Sequence, residues 1–544
     1  MSRYIFITGG VMSGIGKGIT TAAMAKILKS CGFKVTCVKI DPYLNIDAGT
    51  MNPVEHGEVF VTEGGMECDQ DVGNYERFLD ENIPNENYMT TGAVYRSVIE
   101  RERRLEYGGK CVQVVPHIPD EVIRRLEHAS RTARADITLV EIGGTVGEYE
   151  NILFLEAARM MRLRFGNDIL FVLVSYLPVP RMIGEMKTKP TQHAVRAMNA
   201  AGIQPDIIIA RSVAPIDAPR KKKLAIFCNV GESDIIAAPD IKSIYEVPIN
   251  FEKGKLSERI LQKFGLPKRK SLLGDWSGLH RRIQKCREAA KIGIIGKYFS
   301  SGDFTLIDSY ISVIEAVKHA CWKNGLKPDI HWLDSESYET DGRRLAELKN
   351  FGGLIVPGGF GSRGILGKIK AIGYARKNKI PFLGLCYGMQ LAVIEFGRNV
   401  LGLSKASSAE IDKDTPHPVI SVMAEQEKNI NQERYGGSMR LGSYPCEIKA
   451  GTLAGRAYGE RNVIERHRHR YEFNNDYRQR FENAGLIVSG VNPQHNLVEI
   501  IELGNHPFFV GVQFHPEFKS RPLKPHPLFN GFIKAVKKRG ARER

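Results

Sequence analysis

The sequence predicts an α/β protein with two doubly wound domains, each built on a mostly parallel sheet. Strand-like apolar runs alternate with helical patterns through both halves of the chain. In each half, one apolar run leads through a glycine-rich turn directly into a helix. At 544 residues, the chain is also too long for one hydrophobic core. We expect one domain at residues 1–266, a linker at 267–290 and a second domain at 291–544.

The composition is typical of a globular protein without membrane segments. Hydrophobic residues make up 42% and charged residues 25% of the chain. The longest apolar run, residues 169–174, is far too short to span a bilayer, and the N-terminus lacks the layout of a signal peptide. Nine cysteines without paired spacing indicate reduced thiols, and no Cys/His cluster indicates zinc. We therefore expect a cytoplasmic protein.

The net charge of +16 raises the question of a nucleic-acid partner. The basic residues, however, form short clusters at residues 220–223, 268–270 and 534–544, with little aromatic interleaving. A nucleic-acid site normally shows a longer basic stripe. We expect no nucleic-acid partner, and the positive charge suits a highly anionic small substrate instead.

The first glycine-rich turn predicts a phosphate site. The apolar residues 4–7 lead into Thr8-Gly9-Gly10, and Gly16-Lys17-Gly18 open a helix. Amide groups at such a helix N-terminus cradle phosphate oxygens, and Lys17 would reach the outer phosphates. The turn is not a standard P-loop, because Val11 replaces the first glycine and Gly18 replaces the hydroxyl residue that binds Mg²⁺.

Two acidic residues are candidates for the missing Mg²⁺ ligand. Asp71 lies in an acidic stretch, residues 67–71, which we interpret as a loop. Glu141 ends the apolar run 137–140. An acid at the carboxyl end of a buried parallel strand is well placed for the metal of a nucleotide. Either acid alone would be interpreted as a surface carboxylate, whereas together with Lys17 they predict a magnesium site.

Residues 187–192 form a polar loop with two lysines, two threonines and a glutamine, broken by Pro190. Such a loop suits phosphates together with a polar ring, although an exposed basic loop is an equal alternative. Lys223 opens residues 224–227, which look like a strand, and is a candidate for a third phosphate contact.

The second half contains a nucleophile elbow. An apolar run leads into Gly384-Leu385-Cys386-Tyr387-Gly388, and a helical pattern follows. The glycines permit a sharp turn, and the helix N-terminus favours a thiolate at Cys386. A second glycine-rich turn, residues 357–364, would point amide groups at an oxyanion. We predict Gly359 and Tyr387 as the two donors.

The base for this thiol is predicted at His515. The apolar run 508–514 delivers His515-Pro516-Glu517 at a strand end. His515 can take and return the thiol proton, and Glu517 can fix its orientation. The combination of a free nucleophile, a histidine and a carboxylate predicts covalent catalysis.

These motifs carry a resemblance to known families. Cys386, Gly358-Gly359 and His515-Pro516-Glu517 resemble the class I glutamine amidotransferase domain, which hydrolyses glutamine through a thioester and passes ammonia to a partner domain. The chain as a whole is similar to the CTP synthase family. The segments that carry this similarity are residues 8–18, 39–43, 56–60, 75–78, 143–147, 187–192 and 466–472.

The resemblance implies a P-loop, dethiobiotin-synthetase-like synthetase domain followed by the glutaminase domain. It implies ATP-dependent amination of UTP to CTP with ammonia from L-glutamine, through a 4-phosphorylated UTP and a glutamyl thioester on Cys386. Water is consumed, and ADP, phosphate and glutamate are released. The family's Mg²⁺ requirement, activation by GTP, feedback inhibition by CTP and homotetrameric assembly are implied as well.

The resemblance also implies roles for individual residues. ATP binding is implied for Gly14, Ile15, Gly16, Lys17, Gly18, Ile19, Lys39, Asp71, Arg211, Asp240 and Ile241. UTP or CTP binding is implied for Ser13, Glu148, Tyr149, Glu150, Lys187, Thr188, Lys189, Pro190, Thr191, Gln192 and Lys223. Glutamine binding is implied for Gly358, Gly359, Tyr387, Gly388, Met389, Gln390, Glu410 and Arg470. Asp71 and Glu141 would hold Mg²⁺, and ammonia would enter the synthetase site near His56 and Val59.

The chain departs from the family pattern at Glu148-Tyr149, Pro239 and Pro445, and the last change affects the segment related to GTP activation. Three other interpretations stay open. One is a cobyrinate-type amide synthase that activates a carboxylate, and residues 187–192 argue against it. The second is a non-catalytic assembly or regulatory protein, which the Cys386, His515 and Glu517 set argues against. The third is a nucleic-acid-binding protein, which only the charge favours.

Overall fold

The computed structural model describes residues 2–296, 300–301, 304–305, 307–359, 363–422 and 439–542. Residues 360–362 of the second glycine-rich turn lie outside this part of the chain. The described chain forms two compact units. The first runs to Ala48 and resumes over Asp71–His280, and the second comprises Gly49–Gln70 and the chain from Arg281 onward. The boundaries at residues 266 and 291 stay a prediction, and the place of Gly49–Gln70 in the second unit was not foreseen.

The strands of the first half of the chain are mostly continuous apolar runs. They are β1 (Arg3–Gly10), β2 (Val35–Asp41), β3 (Val59–Val61), β4 (Glu67–Asp69), β5 (Tyr88–Thr90), β6 (Ile137–Ile142), β7 (Ile169–Tyr176), β8 (Ile207–Ser212) and β9 (Ile235–Pro239). Seven of them form a fully parallel sheet in the order β5-β2-β6-β1-β7-β8-β9. Because parallel strands share one carboxyl edge, the loops that follow β1, β6, β7 and β9 all begin at that edge.

Helices connect these strands, as parallel pairing requires. They are α1 (Lys17–Ser30), α2 (Pro53–His56), α3 (Gln70–Leu79), α4 (Thr91–Arg103), α5 (Val114–Thr132), α6 (Ile152–Phe165), α7 (Lys189–Ala200), α8 (Ala218–Cys228), α9 (Val247–Lys253), α10 (Leu256–Lys263) and α11 (Gly274–Lys285). Apolar side chains from the sheet and from the helices form one buried cluster, in which Phe6 and Phe171 contact the same core as Leu126 and Phe154. This cluster holds the carboxyl edge of the sheet in place.

The prediction for the stretch after Lys223 was wrong. Residues 224–227, predicted as a strand opened by Lys223, lie in α8. The side chain of Asp217 accepts a hydrogen bond from a first-turn amide and so caps this helix. Leu224 and Cys228 are its buried residues, one helical turn apart, and this spacing places them on one face. The helix cap at Asp217 and the buried face of the helix therefore decide the local structure, although the short apolar run by itself resembles a strand.

The segment expected to be a linker, residues 267–290, contains the whole of α11. Trp276 of this helix is fully buried. Its ring centroid lies 5.3 Å from that of Phe78 and 5.8 Å from that of Tyr245. An aromatic cluster therefore anchors the start of the linker to the first unit.

The second unit is built on a mixed nine-stranded sheet. The strands of this half are β10 (Ala289–Gly296), β11 (Ser300–Ser301), β12 (Phe304–Thr305), β13 (Lys327–Asp334), β14 (Gly353–Val356), β15 (Phe382–Leu385), β16 (Ala406–Ser408), β17 (His417–Val422), β18 (Arg440–Ile448), β19 (Asn462–His469), β20 (Tyr471–Phe473), β21 (Leu486–Val491), β22 (Val498–Leu503) and β23 (Phe509–Val512). The sheet order is β13-β10-β14-β15-β23-β22-β21-β18-β19. Its first five strands are parallel and the rest pair antiparallel. The predicted α/β class is confirmed, with an antiparallel extension that the sequence did not indicate.

The helices of the second half are α12 (Ile311–Lys323), α13 (Ser335–Thr340), α14 (Ile365–Lys377), α15 (Tyr387–Asn399), α16 (Leu453–Tyr458), α17 (Arg478–Asn483) and α18 (Pro527–Arg542). Pro445, one of the departures from the family pattern, lies inside β18 and pairs with Ile464 of β19, so the strand continues through it. Within the part of the chain that the structure describes, no helix is both long and apolar enough to cross a membrane.

Candidate active site

The loop between β1 and α1 turns sharply and returns its lysine toward the sheet. Gly14 and Gly16 have positive φ angles of 70° and 86°. Lys17 donates from Nζ to the carbonyl oxygen of Gly144 at 2.8 Å. A Cβ at Gly9 would lie 2.9 Å from that Nζ, so a side chain there would have to displace the lysine. Burial lowers the pKa of Lys17. The loop, the lysine and the helix N-terminus have the arrangement that cradles phosphate oxygens.

Beside this loop, Lys39 of β2 joins a group of carboxylates. Its Nζ lies 2.6 Å from Asp71 Oδ2, 3.1 Å from Glu141 Oε1 and 3.7 Å from Asp41 Oδ1. Tyr75 donates its hydroxyl to the second oxygen of Glu141. Burial and the neighbouring Asp71 raise the pKa of Glu141 to about 7. Burial opposes the charge on Asp71, but Lys39 outweighs it and lowers the pKa of Asp71 to about 2.

These oxygens fit a magnesium ion. Three carboxylates share one ammonium group, so the cluster has room for further positive charge, and carboxylate oxygens are the ligands that Mg²⁺ prefers. Asp71 and Glu141 stand at the phosphate loop, on the first turn of α3 and at the carboxyl end of β6. The acidic stretch predicted as a loop is therefore a strand, β4, followed directly by a helix.

Asp71 also explains the glycine at position 18. A Cβ at Gly18 would lie 1.8 Å from Asp71 Oδ1 and 2.2 Å from its Cγ. The serine or threonine of a standard P-loop would collide with this carboxylate. Asp71 thus occupies the space of a side chain at position 18, which accounts for the departure from the standard P-loop at Gly18.

A cavity of about 200 Å³ opens at the carboxyl ends of β8 and β9. Its walls are Gly16, Ile19, Thr20, Arg211, Ala238, Pro239, Asp240, Ile241, Ile244, Val247, Asn250 and Phe251. Arg211 bridges the rim, with Nη2 3.1 Å from Asp240 Oδ1. The structure brings Arg211, Asp240 and Ile241, for which ATP binding was predicted, together in one cavity wall with Gly16 of the phosphate loop. Pro239, a departure from the family pattern, is part of the wall.

The predicted polar loop at residues 187–192 is in part the first turn of α7, with Pro190 near its start. Gln192 donates to Thr188 Oγ1 at 3.1 Å, and Thr191 Oγ1 lies 2.8 Å from Ser175 Oγ. These side chains are buried and packed within the unit. Proline fits the first turn of a helix because the missing N–H has no intrahelical partner there.

The remaining predicted pyrimidine contacts lie at the surface. Ser13, Tyr149 and Lys223 are exposed, and Tyr149 is 92% exposed. Lys187 pairs with Glu185 at 2.6 Å. Glu148 accepts a hydrogen bond from the amide of Thr145 at 2.8 Å, which fixes the turn after β6. These predicted UTP or CTP contacts therefore do not form one pocket in the structure.

In the second unit, the elbow has the predicted geometry. β15 ends at Leu385, Cys386 has φ 51° and ψ −101°, and α15 begins at Tyr387. A Cβ at Gly388 would lie 2.1 Å from the carbonyl oxygen of Val356, and one at Gly384 would lie 2.8 Å from the backbone of Gly388. Both glycines are therefore required by close backbone packing. A non-glycine residue at positive φ stores strain that commonly marks a functional site.

His515 and Glu517 form the predicted pair after β23. His515 Nδ1 lies 2.7 Å from Glu517 Oε1, and its ring stacks on Phe518 at 5.0 Å. Burial disfavours the charged imidazole, but Glu517 and then Cys386 outweigh it and raise the pKa of His515 to about 10. Such a histidine holds its proton at neutral pH and can give it to a leaving group.

A cavity of about 70 Å³ lies over the thiol, entirely within the second unit. Its walls are Pro53, Glu58, Val59, Ser309, Tyr310, Val313, Pro357, Gly358, Gly359, Cys386, Arg468, His515, Glu517 and Phe518. Three of these residues come from Gly49–Gln70, a segment of the first half of the chain. Val59, predicted at the ammonia entrance, thus shares a cavity wall with the nucleophile.

Two arginines hold this segment against the second sheet. Arg466 donates to the carbonyl oxygen of Val61 at 3.1 Å. Arg468 Nε lies 2.8 Å from Glu67 Oε1. Glu58 accepts hydrogen bonds from the amide and the hydroxyl of Ser312 at the start of α12. These contacts fix the hairpin of β3 and β4 in place, and Val59 of β3 forms part of the wall of the thiol cavity.

Comparison with known proteins identifies the family of the whole chain. Residues 3–266 match the family described as CTP synthase N-terminus, and residues 305–535 match glutamine amidotransferase class-I. A CTP synthase of Pyrococcus abyssi is 50% identical over 539 residues, which cover 99% of this chain and 98% of that relative. The chain belongs to the CTP synthase family.

Another relative and one solved structure agree in name. A CTP synthase of Carboxydothermus hydrogenoformans is 49% identical over 536 residues, 98% of each chain. The glutaminase domain of a Trypanosoma brucei CTPS with bound acivicin is 36% identical, with a TM-score of 0.42, and covers 46% of this chain and 94% of that one. The family models and the curated relatives confirm the resemblance to the CTP synthase family stated from the motifs.

Some predicted residues do not reach the thiol cavity. Gly388 and Met389 are buried and do not line it, and Gln390 bonds to Tyr471 and Gln513 rather than lining the wall. Glu410 and Arg470 interact electrostatically with each other outside the wall, and burial lowers the pKa of Arg470. Their part in glutamine binding stays a prediction.

Sequence reasoning missed several residues that the structure adds. Gln513 contacts the thiol, while Glu58, Tyr310 and Arg468 line its cavity. Glu58 and Arg468 lie inside motifs typical of the CTP synthase family, residues 56–60 and 466–472, so the motif signal was present. Their positions beside Cys386 depend on tertiary packing, which a motif does not reveal.

Proposed function

We propose that this protein makes CTP from UTP, with ATP as energy source and L-glutamine as nitrogen donor. The observation that carries the proposal is the similarity to curated CTP synthases over 99% of the chain. The two sites support it, because a phosphate loop with carboxylates and a cysteine elbow with its histidine occur in one chain. Each site supplies one half of a glutamine-dependent amination.

In the glutaminase half, the thiolate of Cys386 attacks the side-chain carbonyl carbon of glutamine. The amides of Gly359 and Tyr387 donate to the oxyanion that forms. His515 gives its proton to the departing ammonia, which leaves a glutamyl thioester on sulfur. Water then attacks the thioester, His515 takes a proton from that water, and glutamate leaves as the C–S bond breaks. Glu517 keeps the imidazole oriented throughout.

In the synthetase half, the terminal phosphoryl group of ATP moves to the 4-oxygen of UTP, and ADP leaves. Lys17 and Lys39 stabilise the charge that shifts during this transfer. Asp71 and Glu141 supply oxygen ligands for Mg²⁺, which neutralises charge on the phosphates when bound. Ammonia then attacks carbon 4, and phosphate leaves with its oxygen.

Further features carry over from the family as part of the proposal. The synthetase domain spans residues 1–266, the linker 267–290 and the glutaminase domain 291–544. Ammonia passes to the synthetase site near His56 and Val59 without release to bulk water, where it would be protonated. GTP activates the enzyme, CTP inhibits it, and the working form is a cytoplasmic homotetramer.

The direct test is CTP formation by the purified protein. We expect an absorbance change from uracil to cytosine in the presence of UTP, ATP, Mg²⁺ and glutamine, with ADP and glutamate released in equal amounts. Omission of any one component removes the signal. Glutamine hydrolysis without any such absorbance change would instead indicate a different acceptor, such as a carboxylate, and would reject the proposal.

A further inference from the structure

The side chain of Gln513 contacts the sulfur of the nucleophile. Its Nε2 donates to Cys386 Sγ at 3.6 Å. Gln513 is fully buried and follows directly after β23, two residues before His515. Its own amide donates to the carbonyl oxygen of Glu499 at 2.9 Å, which fixes the backbone at this point. The contact therefore comes from a rigid position and not from a surface side chain.

A second glutamine sets which end of Gln513 faces the sulfur. Gln390 Nε2 donates to the carbonyl oxygen of Tyr471 at 2.9 Å and to Gln513 Oε1 at 3.3 Å. A backbone carbonyl only accepts, so Gln390 must present its NH₂ group to it. Gln513 must then present its oxygen to Gln390 and its NH₂ group to Cys386. The chemistry of the chain fixes both amide orientations, starting from one carbonyl oxygen.

We infer that Gln513 is a further catalytic residue of the glutaminase reaction, and that Gln390 is a positioning residue that acts through it. This inference rests on the proposed glutaminase function. The amide hydrogen of Gln513 stabilises negative charge on sulfur in the free thiolate. It stabilises the same charge again when water attacks the thioester and the electron pair of the C–S bond returns to sulfur. The neutral amide carries out this role without supplying or removing a proton.

Other groups around the sulfur also influence its reactivity. Glu58, Tyr310, Arg468, His515 and Glu517 line the cavity, and the carbonyl oxygen of Arg468 lies 3.8 Å from Sγ. These groups are present in every variant that is altered at position 513 alone. A comparison of variants at one position therefore isolates the amide contact from the charges of the cavity.

The test is the pH dependence of alkylation of Cys386 by iodoacetamide, which needs no substrate. Gln513→Met keeps the volume of the side chain and removes the donor. We expect the pH of half-maximal alkylation rate to rise by about one unit, and kcat for glutamine hydrolysis to fall roughly tenfold to a hundredfold with a smaller change in KM. Gln390→Met should shift the profile in the same direction by less. The exposed Gln494→Met is the matched control and should behave as the unmodified protein.

Gln513→Glu is the second variant, in which a carboxylate faces the sulfur, and it should shift the profile further than Gln513→Met. Thermal unfolding followed by circular dichroism, measured on every preparation, shows that each variant is folded. An alkylation profile of Gln513→Met and Gln513→Glu equal to that of the unmodified protein would overturn the inference. Failure of the proposed function would appear differently, as an unmodified protein that hydrolyses no glutamine.

Discussion

At the scale of single residues, Gly18 and Asp71 act as one feature. The carboxylate of Asp71 fills the space in which any side chain at position 18 would lie. We predict that Gly18→Ala displaces Asp71 and lowers CTP formation about a hundredfold or more, because a shift of about 1 Å in a reacting geometry costs that much. The measurement is CTP formation with glutamine and, separately, with ammonia.

The control for this substitution is Gly278→Ala, since Gly278 lies inside α11 and a Cβ there would meet nothing within 4 Å. It should leave CTP formation unchanged. Glutamine hydrolysis should survive in Gly18→Ala, because the thiol belongs to the other unit. Normal CTP formation by Gly18→Ala would show that Asp71 is not needed where the structure places it.

Glu517 controls the proton on His515. In the unmodified protein the pKa of His515 is raised to about 10, with Glu517 as the largest raising cause. Activity that needs the protonated imidazole is present below this pKa and is lost as pH rises through it. Glu517→Gln removes the carboxylate, so the pKa of His515 falls and the alkaline loss of glutaminase activity begins at a lower pH. The pH profile of kcat/KM measures this shift, and an unchanged alkaline limb would contradict it.

Residue identity explains what could be predicted at this scale. Lys17, Cys386, His515 and Glu517 lie in short motifs whose chemistry is local, so the sequence indicated them. Gln513 touches the thiol only because β23 and β15 are neighbours in the sheet. A contact made by strand pairing has no signature in a single sequence.

At the scale of elements, the side chains of strand β19 make different contacts on its two faces. Arg466 and Arg468 bind the β3–β4 hairpin. His467 and His469 are buried with the opposite parity, and His467 Nδ1 lies 2.8 Å from His469 Nε2. Burial lowers the pKa of both histidines, so they stay neutral. Alternation along a strand thus explains the arginine–histidine run.

Beside these histidines, Arg440 of β18 neutralises two buried carboxylates. Its guanidinium lies 3.1 Å from Glu472 and 2.7 Å from Glu499. We predict that Arg440→Met lowers the free energy of unfolding by about 3–5 kcal/mol at pH 8, because the two buried carboxyl groups lose their counterion and must either stay charged without a partner or bind protons at a pH where the unfolded chain does not. Urea unfolding followed by circular dichroism measures the loss. Arg461→Met, which removes an exposed pair with Glu447, is the control and should cost about 0–1 kcal/mol.

The same variant should respond to pH. Burial, aided for Glu472 by repulsion from Glu499, raises the pKa of Glu472 to about 8 and that of Glu499 to about 7, even with Arg440 present. Loss of Arg440 raises the pKa of both glutamates further, because it removes the positive charge that stabilises their carboxylates. A carboxyl group whose pKa is raised by folding destabilises the fold more as pH increases, so Arg440→Met should regain part of its stability at pH 6. A larger loss at pH 6 than at pH 8 would contradict this account.

Strands were predicted correctly where the hydrophobic run was continuous. The prediction was wrong where a helix cap determines the secondary structure. The parallel core strands β1, β6 and β7 were recognised as continuous apolar runs. The run at residues 224–227 was misassigned because the cap at Asp217 and the buried face of α8 decide its structure. The antiparallel part of the second sheet includes the half-polar strands β18 and β19, and β18 also pairs with β21, which lies far along the chain.

At the scale of the whole molecule, the chain does not divide simply at its middle. Gly49–Gln70 lies in the first half of the chain but belongs to the second unit and supplies walls of the thiol cavity. Sequence composition shows no break at either end of this segment, so its place in the second unit could not be predicted from the sequence. The two chemical sites nevertheless stay within separate units, which makes them separable by mutation.

Lys17 tests the synthetase half by itself. Lys17→Ala removes the ammonium group that the phosphate loop holds beside Gly144. We predict loss of CTP formation with glutamine and with ammonia alike, since both routes need the activated pyrimidine. Glutamine hydrolysis by the same preparation is the control for folding. Ammonia-dependent CTP formation by Lys17→Ala would remove this lysine from phosphate binding.

The most direct test of the two-site account is the nitrogen source used by Cys386→Ala. CTP formation is measured with glutamine and with ammonia at a pH where free ammonia is available. The account predicts that Cys386→Ala loses glutamine-dependent CTP formation and keeps the ammonia-dependent reaction at the level of the unmodified protein. Loss of both reactions, in a variant that remains folded, would contradict it.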